Sequence, residues 1–107
     1  MINRIWHGWA THANADAYEN FLREEMLPNM HRVKGFKGAQ VLRRDLATSS
    51  QNQEVEFITI TRFDSIDAVK QFAGEDYEVA VVLPEARKLL TRFDAKSVHY
   101  ETAFEIE

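Results

Sequence analysis

Four histidines, His7, His12, His31 and His99, have an ordinary pKa that allows proton transfer near neutral pH. His99 ranks first as a catalytic base, lying between Val98 and Tyr100 in a run of strand-forming residues. It reads equally as a structural histidine bonded to backbone or to Glu101, or as an interface residue. His7 is the second candidate, as a ligand-binding group, whereas His12 and His31 read as loop or helix-end residues. Tyr77 and Tyr100 are pocket candidates because a buried phenol seeks a polar partner. Trp6 and Phe72 are expected to line a ligand site, although these two, like Trp9, Phe21 and Phe57, also fit a plain core or interface. The acidic turn Glu75, Asp76 and Glu78 reads as solvated surface, and Glu85 with Arg87 as the solvent side of a helix start.

Other chemistries are missing from the sequence. There is no cysteine, hence no disulfide, thiolate zinc site or thiol nucleophile. No His-x-His or His-x-x-x-His pair offers metal-ligand spacing, so no metal is expected. Neither a Gly-x-Ser-x-Gly elbow nor a phosphate-cradling glycine loop occurs. The net charge of -4 comes with Lys and Arg scattered among acids, which argues against a nucleic-acid partner. No apolar run suits a signal peptide or a bilayer span, so a cytoplasmic protein with no membrane partner is expected.

The elements that must position these groups follow from patterning. With 107 residues, the chain has room for one hydrophobic core, read as a single domain over 1–107. Residues 2–11 read as a strand, followed by a helix capped at Asn14 with Tyr18, Phe21, Leu22, Met26 and Met30 on one face. Pro28 predicts a kink or a broken last turn. Gly35 and Gly38 release the chain into a strand over 39–46, a polar loop over 47–53 follows, and residues 55–63 form the clearest strand. Asp64 or Ser65 caps a helix bearing Ile66, Val69, Phe72 and Ala73, which Gly74 ends. A further helical stripe carries Val79, Val82, Leu83, Ala86, Leu90 and Phe93, with a fresh start at Pro84, and the last strand covers 96–105.

That order predicts an α+β, ferredoxin-like βαββαβ fold with a four-stranded antiparallel sheet and helices on one side. Strand alternation puts Ile2, Arg4 and Trp6 on one face and Ile5 and Trp9 on the other, while Phe57 and Phe63 oppose Ile58 and Ile60. Large apolar groups thus occupy both faces although helices cover only one, which predicts a two-fold homodimer, the alternative being a monomer with a partly solvated sheet. If residues near 6 pair with residues near 100, His7 and His99 become cross-strand partners. A slip of one residue would put them on opposite faces.

With the elements placed, the chain resembles the antibiotic biosynthesis monooxygenase superfamily of dimeric α+β barrels. The resemblance rests on the order and spacing of Arg4-Ile-Trp-His-Gly8, Phe72-Ala-Gly-Glu-Asp-Tyr-Glu78, Pro84-Glu85 and His99-Tyr-Glu101. It implies a pocket between sheet and helices and a cofactor-free oxygenation of a phenolic, quinol-type or polyketide ring, and it marks the run that holds His99 as recurrent. The chain departs from two branches. Thr61 and Phe72 stand where quinol-oxidising relatives carry an acid and a histidine, and Phe72 and Val82 stand where haem-degrading relatives carry Trp and His. A non-catalytic dimer that binds a small apolar metabolite, or an isomerase or lyase using the same pocket, also fits the residues.

Overall fold

The structure is a computed structural model that describes residues 1–46 and 53–107. The expected polar loop falls almost wholly on residues 47–52, outside the described residues. Strand β1 (Ile2–Thr11) is the centre of an antiparallel sheet. It pairs along its whole length with β3 (Glu54–Phe63), which in turn carries β2 (Phe36–Asp45) at the edge. The other side of β1 is shared by two short strands: β4 (Leu90–Phe93) pairs with residues near its end and β5 (Val98–Glu101) with residues near its start. The sheet therefore has the four strand positions of the expected fold, with the fourth split in two.

The split corrects the expected stripe over 79–93. Only α4 (Pro84–Leu89) is helical; Val79, Val82 and Leu83 lie in irregular chain, and Leu90 and Phe93 belong to β4. Leu83, ahead of Pro84, is held extended at ψ 152, and the open edge of β1 offers Leu90–Phe93 ladder bonds that a longer helix would forgo. The last strand is also shorter than expected. Glu101 pairs with Ile2, the first residue of β1, and past it Thr102 N–H donates to Met1 O, so the ladder stops where β1 starts.

On the covered face, helix α1 (His12–Phe21) starts three residues earlier than expected. Thr11, the last residue of β1, is the cap: its Oγ1 accepts the Asn14 N–H at 3.1 Å, so Asn14 sits inside the first turn. The expected break near Pro28 takes the form of a π-helical turn (Leu22–Met26), in which Leu27 N–H reaches Leu22 O, followed by α2 (Leu27–Asn29) and a 3-10 turn (Met30–Arg32). Helix α3 (Ile66–Ala73) is capped by Ser65 Oγ and ended by Gly74 at φ 90, as its sequence predicts. Among the described residues no helix is long and apolar enough to cross a membrane.

The helices pack two separate apolar clusters against the sheet. One gathers Ala10, Tyr18, Leu22, Val55 and Phe57; the other gathers Met30, Phe63, Ala68 and Val69. The helix-facing row of β3 reads Val55, Phe57, Thr59, Thr61, Phe63, so two hydroxyls interrupt the apolar lining between the clusters. Opposite them in β1 stand Trp6, paired with Thr59, and Arg4, paired with Thr61. The fold thus leaves a polar notch in the middle of its core.

Candidate functional site

The notch opens into a cavity of about 30 Å³ lined by Arg4, Trp6, Thr59 and Thr61 of the sheet, Met26 of the π-helical turn, Phe72 of α3, and Val81 and Ser97 of the irregular segments. A space of this size accommodates a water or two and no more. Its polar wall is unusual for a core: Arg4, Thr59, Thr61 and Ser97 are each no more than 6% exposed. Thr59 Oγ1 has no hydrogen-bond partner among the described residues. The nearby Tyr18 phenol, itself pushed up in pKa by burial, lies close enough to feel this hydroxyl without forming a well-shaped bond to it.

Arg4 is held by three neutral acceptors. Its Nη1 donates to Tyr77 O and to His99 Nε2 at 3.0 Å, and its Nη2 to Val79 O at 3.2 Å. The guanidinium carbon also lies 5.6 Å from the centre of the Phe72 ring. Among the described residues no carboxylate approaches within ion-pair distance of it. Burial brings its pKa down to about 10, so the group stays cationic at neutral pH.

His99 shares the helix-facing side with Arg4, its direct partner across the β1–β5 ladder. Accepting the Arg4 hydrogen with Nε2 requires the neutral ring with the proton on Nδ1. Burial and then the Arg4 charge lower its pKa, with Glu78 opposing, so the ring is neutral at physiological pH. Tyr77 meets the imidazole edge-on at 5.1 Å, and both belong to a second, more open groove with Glu78 and Lys96. His99 therefore adjoins the cavity through Arg4 and does not line it.

The remaining sequence candidates divide between the faces. Trp6 and Phe72 line the cavity. His7 and Tyr100 point to the opposite, open face of the sheet, so neither reaches the cavity of this chain. The register puts Arg4 across from His99 and Ile58 across from His7, so the two histidines are not partners. His7 Nδ1 instead lies 3.2 Å from Glu56, which also binds Arg44. Trp6 is oriented by its indole N–H, which donates to Asp94 O at 2.7 Å.

Sequence reasoning missed Arg4, Thr59, Thr61, Ser97, Met26 and Val81. Arg4 and the two threonines did carry a signal. An arginine on the strand face shared with Ile2 and Trp6, and threonines alternating in phase with Phe57 and Phe63, are polar residues at core-facing positions. Met26 shares the helical spacing of Tyr18, Phe21 and Leu22, which marks it as apolar face without marking it as cavity wall, whereas Ser97 and Val81 come from irregular chain whose placement no periodicity encodes.

The chain is a ferredoxin-like α+β domain with a cavity between its sheet and its helices. Over 100% of this chain and 95% of the other, its fold is similar, with a TM-score of 0.68 and 13% identity, to that of a candidate antibiotic biosynthesis monooxygenase from Bacillus cereus known from its crystal structure. No family model and no curated protein matches the sequence.

Proposed function

We propose that this protein binds a small aromatic molecule in the cavity between sheet and helices and oxygenates it without a cofactor. The carrying observation is the polar notch itself: a buried guanidinium and an unpartnered Thr59 hydroxyl set into walls of Trp6, Phe72, Met26 and Val81. A core gains nothing from such groups unless something binds them. The size of the cavity means that a ring must displace part of the wall. Met26 is the softest part, an unbranched side chain on a π-helical turn. The fold and the sequence resemblance both suit oxygenation of an acidic ring carbon. In it the substrate loses a proton and its anion passes an electron to dioxygen; the substrate radical and superoxide join in a C–O bond, and the peroxide takes up the proton again and loses water to leave a carbonyl. One ring methylene and one dioxygen thus give one ring carbonyl and one water, with every electron drawn from the substrate.

The engagement of His99 Nε2 by Arg4 favours a second reading, a binding module without turnover, because it occupies the lone pair a base would use. In either case the working unit is a homodimer in the cytoplasm. The open sheet face carries Ile5, Ile58 and Ile60 with the more exposed Leu42, Val98 and Tyr100, which a second copy would cover. The test is oxygen consumption with a panel of anthrones, naphthols and quinols, read beside thermal shifts for the same compounds. Uptake of dioxygen with one of them supports the oxygenase; thermal shifts without uptake support the module; neither effect would refute the site.

A further inference from the structure

A guanidinium has five N–H donors, and the protein uses three of those on Arg4: both on Nη1 and one on Nη2. The Nε–H and the second Nη2–H have no partner among the described residues. Two backbone carbonyls and a neutral imidazole satisfy hydrogen bonds but leave the positive charge uncompensated. The charge is nevertheless buried, being 4% exposed, and it lines the cavity beside the unpartnered Thr59 Oγ1, which can donate one more hydrogen bond.

Resting on the proposed site, we infer that the ligand binds as an aromatic oxyanion, a phenolate or enolate, with its oxygen against Arg4 and Thr59. An anion completes everything the notch lacks: it balances the charge and takes the free donors. A phenolate suits the place better than a carboxylate, since a single oxygen conjugated to a ring keeps the charge at the guanidinium and the ring against Trp6 and Phe72. Arg4 then supplies the activation that a histidine base would otherwise provide, by making the ligand more acidic when bound. His99 is a positioning residue that fixes Arg4 from the side away from the ligand.

The experiment compares 4-nitrophenol, 4-nitroanisole and 4-nitrobenzoate, alike in size and differing in the group offered to Arg4. Binding to the wild-type protein should shift the visible phenolate titration of 4-nitrophenol downward by about 1 to 3 pH units. Above that midpoint, 4-nitrophenol should bind at least about tenfold tighter than 4-nitroanisole, the equivalent of a one-unit shift. Arg4→Met should return the midpoint to that of free 4-nitrophenol while leaving 4-nitroanisole affinity within a small factor. If Arg4→Met does not fold, Arg4→Lys, which keeps the charge, should retain a downward shift. Equal affinity for phenol and anisole with an unmoved midpoint would overturn the anion inference and leave the site standing. Preference for 4-nitrobenzoate with no phenolate shift would overturn the phenolate assignment. Failure of all three to bind would overturn the site together with the inference.

Discussion

Thr59→Val is the sharpest probe of the notch, because it changes one buried atom and almost no volume. Thr59 is 6% exposed, and its Oγ1 has no partner within hydrogen-bonding geometry among the described residues. Leaving a buried hydroxyl unsatisfied costs about 1 to 3 kcal/mol, and the adjacent cavity has room for a water, which reduces the penalty toward the lower end. Replacing the hydroxyl by a methyl group should therefore stabilise the folded protein by about 1 kcal/mol, and valine also suits a central strand. For a domain of this size that is an increase in Tm of about 4 to 8 °C. Scanning calorimetry at neutral pH, with urea unfolding as a second measure, reads it directly. The same variant should lose affinity for a phenolic ligand, so stability rises while binding falls. A drop in Tm would refute the reasoning: it would mean that Thr59 accepts a hydrogen bond from the Tyr18 phenol, whose loss strands a second buried polar group.

Met26→Ala should destabilise the unliganded protein by about 2 kcal/mol, the low end for a partly buried methionine, and a small aromatic at about a hundred times its Kd should restore about 2.7 kcal/mol in thermal melts. The His99 pKa is lowered in the folded protein from 6.5, so the unfolded chain takes up the proton first and stability falls as pH drops below about 6.5. His99→Asn, whose Oδ1 can still accept from Arg4, should flatten that part of the stability–pH curve from urea titrations; an unchanged curve would show that His99 is not the group responsible. Ile60→Asp on the open face should convert a homodimer into monomers in sedimentation velocity, with the far-ultraviolet circular dichroism unchanged. In a Trp9→Phe background, Trp6 is the sole indole, and its fluorescence should respond to ligand, since it lines the cavity while Trp9 lies on the opposite face.

The sequence by itself determined the order of strands and helices apart from β4, the two-faced character of β1 and β3, and the stop and cap signals at Ser65, Gly74 and Pro84. Each is a local matter, set by side-chain alternation, β-branching and backbone preference within a few residues. It left Trp6 and Phe72 beside Trp9, Phe21 and Phe57 as aromatics of core, interface or pocket, because alternation assigns a ring to a face without saying what that face meets. The tertiary structure decided the register, and register is a long-range property: pairing Arg4 with His99 rather than a neighbour sends His7 and Tyr100 to the far side of the sheet. It decided that residues 90–93 complete an edge of β1 rather than extend a helix, because the ladder bonds that make the difference come from a strand about 80 positions earlier. It also decided the chemistry of the notch. Alternation puts Arg4 on the face of Ile2 and Trp6, but only the structure shows its charge enclosed, bound by the carbonyls of Tyr77 and Val79 and by the ring of His99, and lining the cavity with no carboxylate of the described residues beside it.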